Sequence, residues 1–469
     1  MSVKTQHPEY AEHYPKWVMM QDALDDLVIQ KGTAYLSKTP GMLALEKGGE
    51  DPESKVYNGY KSRAQYPLWV SDSVRTMNGL LSRLKPEIEL KHKQLEILET
   101  QATADGFGLD QLFIRCCIEA LSKGRYGLLV DFDDKGKPFI AMYSTTSIIN
   151  WKVGDVGGRR DTRLVVLTEK HSIKDVNKYS HETETHYREL ELVEGQYQVR
   201  LLDEADTVVN EFEPKMGHKR LDFIPFIFGG SLDNSPEIDD IPLLSMAKCA
   251  VKYYQLSADY YQSLYLTAHP QPYTVGADKV DLSITGPMML WELPQGASCG
   301  FMEIQGNGID KTKAEMDSQK TAAVEAGAKV LDAGSSESGE ARKARQNDQH
   351  ASLHTVVKAV AEAIEQACKY AALWLGLDDK EIRFTVPMEF SQDVDPVILR
   401  ELTNLMISGK ISDETVWEYM QTGKIPERDY SEELKKIDAV TDAPLPGVNN
   451  ERPNSTEGNS QRIEPTSSV

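Results

Sequence analysis

The sequence predicts an α+β protein with more than one substructure, and three observations support this. In the first half, apolar residues change from a helical period to short runs bounded by turn residues, as in helices followed by hairpins. In the second half, apolar residues recur three and four positions apart over segments of about 25 residues, which predicts long helices. The chain has 469 residues, whereas single hydrophobic cores stop growing at roughly 250–300 residues.

The composition is that of an acidic folded protein. The formal net charge is −21, with 40% hydrophobic and 27% charged residues. An acidic chain does not attract nucleic acid through its overall field, although it can surround nucleic acid without binding it tightly. No run of about 18 apolar residues occurs, so no membrane span is expected. Five cysteines without a CxxC pair predict reduced thiols, not a disulfide framework or a zinc site.

The N-terminal part is predicted to be mainly helical. Pro15 is a candidate break in the first helix, and Gly124 is a candidate C-cap of the last. The stretch 31–56 is rich in Gly, Lys and Glu and is predicted to be a loop. Helices are predicted over 8–30, 67–84 and 108–124.

A β-rich part follows. The turn composition of 133–138 and the tripeptide Glu194-Gly195-Gln196 each predict a hairpin. Strands are predicted over 126–132, 139–144, 162–170, 185–193, 197–204 and 223–230.

Three long helices are predicted next. The first covers 241–269 and the second 308–331, and a Pro/Gly-rich insert (270–306) with strand-like pieces separates them. The third ends at Leu375, where Gly376 is a candidate cap. Its apolar stripe has heptad-like spacing and consists of Leu353, Val357, Val360, Ile364, Ala367, Ala371 and Trp374.

The C-terminal part is predicted to contain a strand over 381–390 and two short helices. Asp395-Pro396 begins the first helix, and Ser412 caps the second. Ile411 and Val416 are spaced for a hydrophobic staple. Residues 441–469 are rich in Pro, Asn, Ser, Thr, Glu and Gly and are predicted to be a disordered tail.

The stretch "LDAGSSESGEARKARQND" (331–348) lies between the second and third long helices. It lacks the GxxxxGK[ST] and GxGxxG patterns, and a helix precedes it where a phosphate loop would follow a strand. A nucleotide site is therefore not favoured. A plain connector and a functional mobile loop both remain open.

The candidate catalytic and metal signals are weak. His350 and His354 have metal-ligand spacing, but the HExxH glutamate is absent. Asp131, Asp133 and Asp134 could bind Mg²⁺ or do acid–base chemistry, and turn chemistry explains them more simply. The sequence therefore predicts no enzyme activity and no cofactor.

Basic residues cluster on both sides of the 331–348 stretch and alternate with acidic ones. This pattern is typical of a solvated helix face, and weak contact with a phosphate backbone is the alternative. The basic residues are Lys311, Lys313, Lys320, Lys329, Arg342, Lys343 and Arg345.

Taken in order, these elements resemble the portal protein of tailed bacteriophages, over about residues 7–430. None of the sequence segments on which the resemblance rests is a catalytic signature. These segments are "HPEYAEHYPKWVMMQDAL", "ALSKGRYGLLVDF", "IINWKVGD", "LLSMAKCAVKYYQLSADYYQSLYLTAHPQPYTVG" and "SSESGEARKARQNDQHASLHTVVKAVAEAIEQACKYAALWLG".

The resemblance implies an organisation by segment. It comprises a wing (1–240), stem helix 1 (241–269), a clip (270–306), stem helix 2 (307–331), a tunnel loop (332–340), a long wing helix with a returning strand (341–392), crown-like short helices (393–440) and the tail (441–469).

The resemblance also implies site residues. The DNA-facing tunnel loop would be Asp332, Ala333, Gly334, Ser335, Ser336, Glu337, Ser338, Gly339 and Glu340, with the basic residues above near the DNA. The clip would dock the packaging motor or the tail adaptor through Pro270, Pro272, Tyr273, Trp291 and Pro294.

By the same resemblance, the partners would be other copies in a ring, usually of twelve subunits. They would also include the terminase large subunit, a head–tail adaptor, major capsid or scaffolding protein, and double-stranded DNA that passes through without sequence preference. The protein would assemble in the host cytoplasm and reside in the virion, with no membrane. Two alternatives remain open: another head or tail adaptor of the virion, and an acidic cytoplasmic α+β enzyme with an unrecognised site.

Overall fold

The computed structural model divides the chain into two compact units, Met1–Met388 and Glu389–Val469. Both helices and strands are present, so the α+β prediction is confirmed. The structure describes residues 2–156, 159–173, 181–216, 219–268, 271–276, 295–302, 307–328, 339–387, 396–408, 410–422, 425–426 and 428–441.

The N-terminal part of the first unit is helical. Its helices are α1 (Pro8–Leu24), α2 (Pro40–Lys47), α3 (Lys55–Arg63), α4 (Trp69–Leu81), α5 (Ile97–Gln101) and α6 (Leu109–Lys123).

The predicted break at Pro15 is wrong, because α1 continues through this residue. An interior proline removes one helical hydrogen bond and costs ~3 kcal/mol. Tertiary packing offsets that cost. Trp17 and Met20 are fully buried, and the Trp17 indole N–H donates to the backbone carbonyl of Lys123 at 3.0 Å.

The loop predicted over 31–56 is also wrong, since α2 and the start of α3 lie within it. Thr39 caps α2 by accepting from the Met42 N–H, and Pro40 occupies the first turn. The Asp51 carboxylate accepts from the backbone N–H groups of Lys55 and Val56 at 2.8 and 2.9 Å. These caps begin two short helices in a segment whose composition is otherwise that of a loop.

Strands β1 to β11 come before the long helices. They are β1 (Glu87–Glu89), β2 (Arg125–Phe132), β3 (Pro138–Ser144), β4 (Ile148–Val156), β5 (Arg159–Ser172), β6 (Thr183–Val193), β7 (Gln196–Leu202), β8 (Val208–Phe212), β9 (Lys215–Met216), β10 (Lys219–Arg220) and β11 (Phe226–Gly230).

Two antiparallel sheets dominate this region. One has the strand order β11-β2-β3, and the other has the order β4-β5-β6-β7-β8. Both predicted hairpins are confirmed. Glu194 and Gly195 have φ of 52° and 78°, which matches the right-handed twist of the flanking strands β6 and β7. The sequence analysis missed β4 and β8.

The long helices are α7 (Leu244–Thr267), α8 (Asn307–Ala323) and α9 (Gly339–Leu375). Between α7 and α8, β12 (Gln271–Val275) and β13 (Ser298–Met302) form an antiparallel pair. Of the helix predicted over 308–331, α8 confirms the part up to Ala323, a π-helical turn occupies Val324–Ala328, and residues 329–331 lie outside the described part of the chain. Gly327 has φ of 114°, outside the range of a regular α-helix.

Helix α9 packs against α6, β2 and β11. Its predicted apolar stripe is confirmed. The first six residues of the stripe are at most 3% exposed, and the last, Trp374, is half-buried. Strand β14 (Arg383–Thr385) follows α9 and pairs with β1, so the strand predicted over 381–390 is shorter than expected. Residues 388–390 lie outside the described part of the chain.

The second unit contains α10 (Pro396–Ile407), α11 (Asp413–Thr422) and α12 (Tyr430–Thr441). The predicted cap is confirmed, because the Ser412 hydroxyl accepts from the Thr415 N–H at 3.2 Å. Ile411 packs with Val416 in a small apolar cluster, as the staple predicts. The predicted tail begins at 441, which is the last residue of α12; residues 442–469 lie outside the described part.

Gly124 ends α6 with φ of 72°. A Cβ atom at this position would lie 2.8 Å from the carbonyl oxygen of Asp240 and 2.9 Å from that of Asp239. We therefore expect Gly124→Ala to lower the midpoint of thermal unfolding, with a destabilisation of ~2 kcal/mol. Gly79→Ala is the matched control, because nothing lies within 4 Å of its Cβ. It should be neutral or stabilising by ~0.5–1 kcal/mol. Equal effects at the two positions would contradict the contact argument.

Glu433 links α12 to the start of α11. Its carboxylate accepts from the Ser412 N–H at 2.7 Å and from the Thr415 hydroxyl at 2.8 Å. Burial raises the pKa of Glu433, but these hydrogen bonds and Arg428 outweigh it, so the pKa lies below its ordinary value of 4.5. The resulting stability is fully present above pH 4.5 and is lost as the pH falls through the lowered pKa.

We expect α11 and α12 to lose amide protection as the pH falls below about 4.5. In Glu433→Gln this acid-induced loss should be much smaller, because residue 433 no longer titrates. Hydrogen exchange between pH 3 and 6, corrected for intrinsic rates, measures the effect. An unchanged acid profile in Glu433→Gln would assign the loss to another carboxylate.

Candidate functional site

Helix α7 is buried in its first half and exposed in its second. Met246, Ala250 and Tyr254 are fully buried, whereas Leu264, Tyr265 and Leu266 are 37%, 58% and 60% exposed. The helix therefore begins in the hydrophobic core of the first unit and extends out of it.

Helix α3 braces the exposed half of α7. The Tyr60 hydroxyl donates to the Asp259 carboxylate at 2.6 Å. Burial, and then this hydrogen bond, raise the pKa of Tyr60. The Arg63 guanidinium donates to the Gln262 side-chain oxygen at 3.0 and 2.6 Å and lies 4.2 Å from the centre of the Tyr265 ring. These contacts fix the direction in which α7 leaves the core.

The pair β12–β13 stands at the far end of α7. Tyr273 of β12 lies opposite Gly300 of β13, and an added Cβ on Gly300 would meet the Tyr273 ring at 2.9–3.0 Å. The glycine thus leaves room for the ring. Tyr273 and Val275 are nevertheless 46% and 58% exposed. Of the predicted docking residues, Pro272 and Tyr273 lie in β12, whereas Pro270, Trp291 and Pro294 lie outside the described residues.

We use the name stem patch for five exposed apolar residues at this end: Leu264, Tyr265, Leu266, Tyr273 and Val275. A soluble monomer rarely exposes so many large apolar side chains in one stretch. Exposed apolar clusters of this kind are typical of protein–protein interfaces.

Helix α8 runs beside α7 in the opposite direction, since the paired strands β12 and β13 join them. Apart from Met316 and Ala323, the residues 308–323 of α8 are exposed or half-buried. Lys311, Lys313 and Lys320 are exposed, as the prediction of a solvated face requires.

The lysines of α8 are interleaved with acids. Lys313 pairs with Asp317 at 3.3 Å, and this interaction raises the pKa of Lys313. Among the other predicted basic residues, Lys329 lies outside the described residues. Arg342, Lys343 and Arg345 belong to α9, but the structure does not describe their side chains.

Most of the predicted tunnel loop lies outside the described residues, namely 332–338. Gly339 and Glu340 are the first residues of α9, which therefore begins two residues earlier than the predicted 341. The role of this loop remains a prediction.

Among the side chains that the structure describes, the candidate metal ligands and acid–base residues do not form a common site. In the described part of the chain, no three His, Cys, Asp or Glu side chains form a metal-binding group. Asp133 accepts from the N–H groups of Lys135 and Lys137 at 2.9 and 2.8 Å, as turn chemistry predicts. Asp131 lies 3.4 Å from Arg188. His354 is exposed, and the His350 side chain is among those not described.

All five cysteines are free thiols in this structure. Cys116, Cys117 and Cys368 are buried, and burial raises the pKa of each. A thiol that ionises poorly is a weak nucleophile.

The sequence analysis did not single out Arg125, which is 1% exposed. Its guanidinium lies 4.0 Å from the Trp151 ring centre and 4.7 Å from that of Phe228. Burial lowers the pKa of Arg125 to about 9, opposed by the charges of Glu9 and Asp239. Only tertiary packing reveals this residue, because no local pattern marks an arginine for burial.

Residues 242–375 match one protein family. It is described as a domain of unknown function (DUF4055), and the match spans α7 to α9, which is less than half of the chain. No curated protein matches the sequence. Among solved structures, the chain is similar to one from the neck of an empty GTA particle, computed with C6 symmetry. The two chains are 12% identical, with a TM-score of 0.38 over 77% of this chain and 91% of the other.

No helix in the described part of the chain is long and apolar enough to cross a membrane.

We expect Arg63→Ala to loosen the exposed half of α7, because it removes the contacts to Gln262 and Tyr265. A loss of ~1 kcal/mol would speed hydrogen exchange in residues 259–267 roughly fivefold. Arg75→Ala is the control, since Arg75 makes an exposed ion pair with Asp72 at 2.9 Å on another helix. If Arg63→Ala leaves exchange in 259–267 unchanged, α3 does not brace this helix.

Proposed function

We propose that this chain is a portal protein of a tailed bacteriophage or a related particle. In this proposal, copies form a ring at one capsid vertex, and double-stranded DNA is packaged and ejected through the bore. The observation that carries the proposal is the antiparallel pair α7–α8, which extends out of the hydrophobic core of the first unit and ends in β12–β13 with an exposed apolar surface.

The stem patch supports assembly into a ring. Its apolar side chains are exposed in a single copy, and burying them against a neighbour removes them from water at roughly 25 cal/mol per Å². A patch that meets a different surface on the next copy forms a heterologous contact, and such contacts form a ring when the rotation between successive copies closes. The half-buried and exposed surface of α8 would supply the opposing face.

The charge distribution supports passage of DNA without tight binding. Each copy carries a formal charge of −21, so about twelve copies carry roughly −250, screened beyond about 10 Å in salt. An acidic bore keeps a duplex away from its walls. Exposed lysines on α8, such as Lys311, Lys313 and Lys320, would reduce this repulsion without forming a specific site.

The proposed role is structural. We propose that the protein has no catalytic activity and no cofactor. Its partners would be other copies of itself, the terminase large subunit, a head–tail adaptor, and major capsid or scaffolding protein. The segment between α7 and α8, with β12 and β13 at its ends, would dock the motor and later the adaptor.

Two other functions are kept as alternatives. A different head or tail adaptor would also oligomerise, but would not need a paired helical stem with a β-insert. An acidic α+β enzyme would need a cavity with convergent reactive groups. A cavity of about 710 Å³ lies among His7, Trp151, Phe228 and Tyr370, and three of its four carboxylates, those of Glu9, Glu237 and Glu362, are exposed, whereas Asp161 is half-buried. This favours the structural role over the enzyme.

Electron microscopy of the purified full chain tests the proposal. We expect rings with a central hole, and light scattering should give about twelve times the chain mass of 52.5 kDa. Leu266→Asp should abolish the rings while leaving the circular dichroism spectrum unchanged, because it places a charge in the stem patch.

Leu43→Asp is the matched control. Leu43 is 42% exposed on α2, away from the stem patch in sequence, and this variant should still form rings. A monomer or dimer of the unmodified protein at micromolar concentration would overturn the proposal. Normal rings from Leu266→Asp would remove the stem patch from the assembly contact.

A further inference from the structure

The second unit has an apolar groove between α10 and α11, with a volume of about 720 Å³. Trp417 and Met420 stand exposed at this groove, at 57% and 44%. Tryptophan is enriched among the residues that dominate interface energies, and methionine adapts to irregular partners. The groove therefore has the character of a binding surface. The residues that line it are Leu399, Thr403, Met406, Asp413, Glu414, Val416, Trp417 and Met420.

Helix α12 of the same unit carries a second exposed apolar surface. Tyr430 is 76% exposed and Leu434 is 39% exposed. Residues four apart lie on one face of a helix, so these two side chains form a short ridge. We use the name α12 ridge for Tyr430 and Leu434. Lys435, which follows Leu434 and is also exposed, places a positive charge beside the ridge.

The α12 ridge does not fill the groove of its own copy. Other residues of α12 hold this helix to the start of α11. The Glu433 carboxylate accepts from the Ser412 N–H at 2.7 Å and from the Thr415 hydroxyl at 2.8 Å, and the Lys436 ammonium lies 2.8 Å from the Glu414 carboxylate. With α12 held in this position, the ridge and the groove both remain exposed.

The two surfaces are complementary in shape and in charge. The groove is concave and the α12 ridge is convex, and both are apolar. Asp413 and Glu414 place exposed carboxylates at the groove, whereas Lys435 flanks the ridge. Charges of opposite sign across an interface favour one orientation of the partners. Because the ridge and the groove are different surfaces, their contact is heterologous, which is the kind of contact that a ring of identical copies uses.

We propose that the α12 ridge of one copy binds in the groove between α10 and α11 of the next copy. Leu434 would lie against Trp417 and Met420, with Lys435 beside Asp413. This inference rests on the proposed assembly of copies and adds to it a contact made by the second unit, separate in sequence from the stem patch. A contact of this size is too small to hold two free copies together. In a ring the neighbouring unit stays close, so a weak intrinsic affinity is sufficient.

Site-specific photo-cross-linking in the purified full chain tests the proposal. A benzophenone amino acid at position 434 should give a covalent dimer on a denaturing gel, at twice the chain mass of 52.5 kDa. Mass spectrometry should locate the cross-link at Met406, Trp417 or Met420. The same group at position 432 is the matched control, since Glu432 is exposed but lies on the other side of α12. It should not cross-link to the groove.

A second pair of variants tests the groove itself. Trp417→Ala should reduce the yield of the covalent dimer from position 434 severalfold, and it should fold normally because Trp417 is largely exposed. Ile425→Ala is the control. Ile425 is 54% exposed in the same unit but does not line the groove, so this variant should leave the yield unchanged.

The outcomes separate this contact from the portal function, because electron microscopy reads ring formation independently. Covalent dimers linked from position 434 to the groove support the proposal. Cross-links to the groove within one chain, dimers linked only to other surfaces, or no cross-links would overturn it. Rings without the cross-link would overturn this contact alone, whereas the cross-link without rings would overturn the portal function and leave the contact.

Discussion

The first unit depends on the burial of the apolar stripe of α9. Val357, Val360 and Ile364 are fully buried where α9 packs on α6, β2 and β11. Each such side chain contributes about 1.5–3 kcal/mol when it leaves water. This one helix therefore links α6 to the sheet that contains β2 and β11. Polar contacts secure it further, including the Trp374 indole N–H, which donates to the Lys215 carbonyl at 3.2 Å.

The large hydrophobic core of the first unit anchors α7 at one end and leaves the other end free of it. The first half of α7 is anchored by fully buried residues such as Tyr254, and its second half needs only the brace from α3. The exposed half can therefore present apolar side chains to other molecules without weakening the fold. The proposed assembly depends on this division of α7 into a buried first half and an exposed second half.

The sheets stabilise two arginines, the half-buried Arg188 and the buried Arg125, in different ways. Arg188 lies between Glu169, at 2.7 Å, and Asp131, at 3.4 Å, so its charge is compensated by carboxylates. Arg125 instead lies against the faces of Trp151 and Phe228. Removing a cation from water is unfavourable in free energy, and attraction to aromatic faces offsets only part of this penalty. Both arginines are contributed by strands whose neighbours are set by the sheet order, which explains why spacing in the sequence does not reveal their partners.

The sequence alone determined the features that depend on nearby residues. Apolar spacing indicated α6, α7 and α9, and the turn residues at Glu194-Gly195 indicated a hairpin, because the causes lie within a few positions of the effect. Tertiary structure decided the rest. Helix α1 continues through Pro15 because Trp17 is buried against another helix, and β8 forms because β7 offers it an edge. The exposure of Leu264 to Leu266 and of Trp417 was likewise decided by packing, since local spacing cannot say which apolar residues the core leaves uncovered.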